Sequence, residues 1–297
     1  MKIILSRKGF DSSSGGCPSP ILPDKRLRSL PIPDCCSSAI TYEPIYENDE
    51  YPTSKIVKSL TKCKDCGESK VKSSSFAHHD PDIDYDSVVR NVTRDTWRGV
   101  FGQCGASQGH LDNEGVAPGD LFLFFGLFQE TAGSVENLEF VRRSKRKHII
   151  WGWMQVGEVV DVENERNRIP SWCENHPHVS YKGSGMKNNT LYIASEQLSF
   201  GNIALPSGCG VFSTYESHSP LQLTAEGENT SIWCLPKWFD KRLSHHPNNR
   251  WSPCAEDKSK VLLDSVGRGQ EFVIDLGNDT VTAVEWLQSI FACTKQH

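Results

Sequence analysis

Two runs of apolar positions stand out against an otherwise mixed chain. The first is Leu121–Phe128, entered through Gly119-Asp120. The second is Ile149–Val160. Both are rich in aromatic and β-branched residues, and neither has the three-to-four spacing of an amphipathic helix, so the pattern predicts two strands. Near-continuous apolarity predicts burial on both faces, in the middle of a sheet or barrel. The polar piece between them ends in a basic run, residues 142–148, which reads as an exposed connection that could touch a nucleic-acid backbone.

Around this pair the pattern predicts shorter elements. Lys2–Ser6, Thr190–Ala194, Gly210–Thr214, Leu221–Thr224, Ser231–Leu235 and Glu271–Leu276 read as strands. Ile21-Leu22 and Leu27–Ile32 read as a hairpin around Pro23-Asp24-Lys25. Lys55–Leu60 and Asp86–Trp97 read as helices, Phe101–Pro118 as a glycine-rich polar segment, and Ile169–Lys187 as a long loop. The last element is a helix over 280–292, with Val281, Val284, Leu287 and Ile290 or Phe291 on one stripe and Asn278 or Asp279 as cap. These elements predict a single strand-rich α+β domain over 1–297. They include a mixed or barrel-like central sheet, a C-terminal helix and a variable exposed insertion at about 35–75.

Composition narrows the function classes. With 32 basic and 37 acidic residues the net charge is −5, which argues against a generally cationic nucleic-acid coat and permits one local basic face. No apolar run approaches the ~20 residues of a membrane span, and the N-terminal apolar piece is too short for a signal peptide. The 11 cysteines are odd in number and scattered, so a full disulfide framework is not expected. The expectation is a cytoplasmic protein with no membrane partner.

Six polar stretches could carry chemistry. Behind the first strand, Asp11, Ser12 and Ser13 lead into Gly15-Gly16. Such a loop can surround a phosphate or orient a sugar hydroxyl, although it lacks the Gly-Lys-Ser/Thr of a Walker loop. His79, Asp80 and Asp82 flank Pro81 and could converge for acid–base work. Gln103, Gln108 and His110 supply the directional donors and acceptors that read a base edge. His176 and His178 could ligate a metal, but two ligands do not make a site, and a solvated loop is the expectation. Arg250 beside Trp251 could grip phosphate or stack on a base, and Arg268 before Gly269-Gln270 could clamp an anion. Cys63-x-x-Cys66 is half a zinc site without a second pair, so no metal site is assigned.

Several of these segments in order resemble one family. They are Met1–Pro20, Ser29–Asp34, His79–Asp82, Phe101–Leu111, Pro118–Gly126, Trp151–Val160 and Arg268–Phe272. Together they resemble the type 3 nucleotide-modification-associated domain of bacteria and their phages, over nearly the whole length. The resemblance implies association with base modification in DNA, or with the nucleotides that feed it. It implies a pocket from the matching positions Asp11, Ser12, Ser13, His79, Asp80, Asp82, Gln103, Gln108, His110 and Gln270. The stretch 118–162 also has a local resemblance to the small PUA and EVE barrels that bind modified or flipped bases.

Two functions follow as expectations. One is an enzyme acting on a nucleobase or nucleotide, with Asp11, His79, Asp80, Asp82 and His110 in catalysis and Ser12, Ser13, Gln103, Gln108, Trp151, Arg250, Arg268 and Gln270 holding ligand. The other is a non-catalytic module that recognises a modified base or nucleotide. It predicts an aromatic cage of Trp151, Trp153 or Trp251 and no convergent acid–base pair. The sequence names no cofactor.

Overall fold

The computed structural model describes residues 1–34, 38–62, 70–181, 186–244, 250–265, 271–277 and 280–293. In chain order its first strands are β1 (Lys2–Arg7), β2 (Ser19–Ile21), β3 (Ile32–Asp34), β4 (Phe76–His78) and β5 (Val100–Gln103). The central strands are β6 (Leu121–Ala132), β7 (Glu139–Phe140), β8 (Lys147–Asp161) and β9 (Thr190–Ala194). Then come β10 (Leu198–Phe200), β11 (Ile203–Leu205), β12 (Cys209–Val211), β13 (Ile232–Pro236), β14 (Arg250–Pro253), β15 (Lys260–Asp264) and β16 (Glu271–Asp275). The α-helices are α1 (Thr53–Leu60), α2 (Gly105–Asn113), α3 (Pro177–Ser180) and α4 (Thr280–Phe291).

The two apolar runs form β6 and β8, which pair antiparallel at the centre of a mixed sheet. The main path of that sheet is β16-β1-β6-β8-β9-β5, with β2, β7 and β12 attached to its long strands. β1 and β2 run parallel to β6, so the sheet is mixed, and it does not close into a barrel. All eight residues of Leu121–Phe128 are buried. That explains their unbroken apolarity: each fully buried Phe or Leu contributes about 1.5–3 kcal/mol. The register of β6 against β8 shifts between Phe124, opposite Gly152, and Phe125, opposite Ile150. The extra residue is Trp151, and such a bulge re-aims its side chain.

Several expectations meet a different outcome. Asp86–Trp97 carries only a 3-10 turn at Tyr85–Ser87, not a longer helix. Phe101–Pro118 is not an open turn but β5 followed by α2. The helix has no apolar stripe, since it buries only Gln108 and Leu111. Val281 stands 70% exposed, outside the α4 stripe of Ala283, Val284, Leu287, Ile290 and Phe291. Within the stretch expected as an exposed insertion, Tyr42, Ile45, Tyr51, Ile56 and Val57 are buried in a second apolar cluster with Phe10 and Leu30. The capping residues Asn278 and Asp279, and Cys63 and Cys66, lie outside the described residues. Among the described residues no helix is long and apolar enough to cross a membrane.

The end of the basic run is engaged by the fold. Lys147 Nζ lies 3.4 Å from Glu226 and 3.1 Å from the Gln222 amide oxygen, and Lys145 meets the Gly227 carbonyl. His148, its last member, is in the core, where its Nδ1 accepts a 3.0 Å hydrogen bond from Trp233 Nε1. Burial, helped by the charge of Arg7, pushes the His148 pKa down to about 3. An unfolded imidazole takes up its proton near ~6.5. The stabilisation from a neutral His148 is therefore present above that value and lost as pH falls from it toward about 3. From pH 7 to 5 this amounts to about 2 kcal/mol. His148→Asn keeps an acceptor but does not titrate. Its unfolding free energy, from urea titrations at each pH, should decline less between pH 7 and 5 than that of the unaltered chain, by roughly that amount.

Candidate active site

The end of β1 opens a cleft. Beyond Arg7, the Lys8 amide continues the strand pairing by donating to the Phe125 carbonyl at 2.8 Å. The chain then turns at Phe10 and Asp11. Asp11 Oδ1 accepts from the Ser13 amide, the Ser13 hydroxyl and the Ser14 amide, each at 2.7 Å. Arg7 lies 3.1 Å from Asp11 Oδ2. Burial works to raise the Asp11 pKa, but these hydrogen bonds and Arg7 outweigh it and hold the carboxylate ionised below its usual range. Asp11 thus organises the serine loop. Gly15, at φ +87°, is required there because a Cβ would lie 2.4 Å from the Phe10 ring.

The cleft has a volume of about 570 Å³, inside the span of ligand pockets, about 300–1,000 Å³. It is lined by Arg7, Lys8, Ser13 and Ser14 from the end of β1 and its loop, by His78, Asp80 and His178, and by Gly102, Gln103 and Cys104 of β5 and the residue after it. Lys8 Nζ sits 4.4 Å from the centre of the Phe101 ring and 3.4 Å from Glu271 Oε1. Gln103 Nε2 donates to the same oxygen at 2.6 Å. Burial raises the Glu271 pKa against the pull of Lys8, so a lysine, an amide and a buried acid are coupled beneath the cleft.

His78 closes β4, and Asp80 follows two residues later. Asp80 Oδ1 accepts from the Gly102 amide at 2.8 Å and lies 3.1 Å from His176 Nε2. Burial alone would raise the Asp80 pKa, yet the His176 bond, with His176, His178 and Lys8 nearby, pulls it far below the ordinary range. His178, on α3, is buried, and burial pushes its pKa down to about 4. Its ring packs so closely on β5 that a Cβ on Gly102 would come within 2.3 Å of it.

The structure brings Asp11, Ser13, Asp80 and Gln103 to this cleft and places the other candidates elsewhere. Ser12 is exposed at the loop tip. With Asp80, His79 shares only a hollow of about 50 Å³; its Nδ1 lies 3.8 Å from Asp82, and those two line a separate groove of about 450 Å³. There Asp82 receives both nitrogens of Arg90, at 2.8 and 2.6 Å. Gln108 is buried, donating to Tyr192 Oη and Asp112, and His110 Nε2 bonds to Ser244. Trp151 lines a hollow of only about 50 Å³ with His79, too small for a base. Arg250 lies at the start of β14, in the separate sheet β13-β15-β14. Arg268 and Gln270 lie outside the described residues. His176 and His178, expected in a solvated loop, are 6% and 4% exposed. Only their i, i+2 spacing signalled them in the sequence. Lys8 and Glu271 lie within segments that carry the family resemblance, but nothing in the sequence singled them out.

Asp82→Asn removes one partner of a largely buried, doubly hydrogen-bonded pair and leaves the Arg90 charge uncompensated. It should cost about 3 kcal/mol in urea unfolding, while leaving ligand affinity of the intact fold unchanged.

No curated protein and no solved structure matches the chain. The sequence model of the family described as "Nucleotide modification associated domain 3" matches residues 2–275. With the match covering nearly the whole length, the chain belongs to the nucleotide modification associated domain 3 family.

Proposed function

We propose that the protein is an enzyme that modifies a nucleobase or nucleotide, in DNA or among its precursors, within the cleft at the end of β1. One observation carries this reading: cationic and hydroxyl-bearing groups and a cluster of imidazole and carboxylate groups line one space of nucleotide size. Arg7, Lys8 and the amides and hydroxyls of Ser13 and Ser14 are chemically suited to phosphate oxygens. His78, Asp80 and His178 line the same space, where the base or sugar of a bound nucleotide would lie. Buried ionisable groups with shifted pKa values, converging in a cleft, mark sites of chemistry more often than sites of passive recognition.

The lining also weighs against a recognition module. Among the described residues, those that line this cleft include no Trp, Tyr or Phe, so the stacking cage such a module needs is not there. Membership of a family associated with nucleotide modification supports the same substrate class.

Two measurements test the proposal. Isothermal titration with deoxynucleoside monophosphates and the matching nucleosides should show tighter binding of the phosphorylated form. Lys8→Ala should weaken it roughly tenfold, the worth of about 1.4 kcal/mol in a charged contact. Nucleoside mass spectrometry on DNA and nucleotide pools from cells carrying the protein should reveal a modified species that disappears with Asp80→Asn. Absence of nucleotide binding, or identical nucleosides with the intact and altered proteins, would overturn the reading.

A further inference from the structure

The hydrogen bonds around the three cleft-facing groups dictate where their protons sit. Asn189 Nδ2 donates to the His178 carbonyl at 2.8 Å, which fixes the orientation of that amide. Its oxygen therefore faces His178 Nδ1, 2.7 Å away, and the ring nitrogen must be the donor. Nε2 of His178 is left with its lone pair. His78 repeats the arrangement: Nδ1 lies 3.0 Å from the Asp34 carboxylate and donates to it, which in the neutral ring leaves the lone pair on Nε2. That nitrogen is 3.9 Å from Asp80 Oδ2. The other Asp80 oxygen is held by Gly102 and His176. His176 in turn accepts from the His178 amide through Nδ1, at 3.4 Å, which makes Nε2 its donor toward Asp80.

Three groups able to donate a lone pair thus meet, and one ligand atom from each of His78, Asp80 and His178 lies within 4.8 Å of the others. Lone pairs gathered in a half-buried site repel one another unless a cation sits between them. We propose that His78, Asp80 and His178 bind a first-row divalent metal ion, with the remaining coordination positions open to the cleft. Two imidazoles and one carboxylate on one face of an ion suit iron(II), manganese(II), cobalt(II) or zinc(II) rather than magnesium or calcium. Asp34, Asn189 and His176 are positioning residues: each bonds the far side of a ligand and sets its tautomer or orientation, as outer-shell partners of metal sites do. Arg7, Lys8 and the serine loop line the same cleft, so an anionic group held there would lie near the ion.

This site goes beyond the proposed modification reaction and stands on the ligand arrangement whether or not a nucleotide binds. The full-length protein, stripped with a chelator, is titrated with cobalt(II), zinc(II) and manganese(II). Uptake is followed by elemental analysis and visible absorption. The expected result is one equivalent, with cobalt(II) bands lacking thiolate charge transfer, lost in His178→Ala and Asp80→Asn. Asn189→Leu, which leaves all three ligands in place, should weaken affinity roughly 10–100-fold. Failure of the unaltered protein to take up any of these ions overturns the proposal. So do thiolate bands that vanish in the Cys63→Ser/Cys66→Ser double variant, and so does uptake unchanged by Asp80→Asn. If His178→Ala fails to fold, the cobalt(II) spectrum of the unaltered protein decides alone. Metal uptake without nucleotide binding leaves this site intact and removes the modification proposal; nucleotide binding without uptake does the reverse.

Discussion

The burial of β6 on both faces is the constraint from which the rest follows. A strand with eight consecutive buried residues must be covered above and below and paired on both edges. Its backbone groups have no water to turn to, so β1 and β8 supply the pairing. β1 runs parallel to β6 and is itself flanked by β16. Its carboxyl end therefore emerges beside Phe125, deep within the fold, and Arg7 and Lys8 are delivered to the cleft by the pairing itself. A loop leaving such a strand is anchored at its base, and the Asp11 carboxylate holds the turn that follows.

A second constraint acts on the imidazole and carboxylate cluster of the cleft. Burying His176, His178 and Asp80 costs free energy unless each polar atom finds a partner. The partners come from distant parts of the chain: Asn189 for His178, Asp34 for His78, the Gly102 amide for Asp80. Each bond fixes an orientation and leaves one acceptor turned to the cleft. Gly102 serves twice, through its amide and through the missing side chain that lets the His178 ring lie on β5. A network satisfied on its outer side and open on its inner side is the arrangement expected of a preorganised reacting centre. The contrast with Asp82 is instructive. That carboxylate is engaged by two nitrogens of Arg90 and has its bonding capacity directed into the fold.

What was legible depended on which signal each element carries. The strands β1, β6, β8, β9 and β16 and the helices α1 and α4 follow from apolar periodicity, because burial of a face is written locally. Helix α2 was hidden because its inward positions include Gln108, a polar residue made tolerable by Tyr192 from outside the helix and by Asp112 one turn further along it. The His176–His178 segment read as solvated for the same reason: the groups that satisfy it, Asp80 and Asn189, are 96 and 11 residues away. The expected convergence of His79, Asp80 and Asp82 assumed that neighbours in sequence share a target. The fold instead lines the large cleft with Asp80 and a separate groove with His79 and Asp82, while His79 and Asp80 share only a small hollow.

The sequence by itself determined the strand-rich α+β character, the central pair of strands, the family, and several cleft residues, Asp11, Ser13, Asp80 and Gln103 among them. These are properties of local composition and motif. The tertiary structure alone decided which histidines face the cleft, that Lys8 and Glu271 are coupled beneath it, and which nitrogen of each ring keeps its lone pair. Those outcomes rest on hydrogen bonds and burial between residues far apart in the chain. No local pattern encodes them, because the energy of a buried polar group is set by the partner that meets it in space.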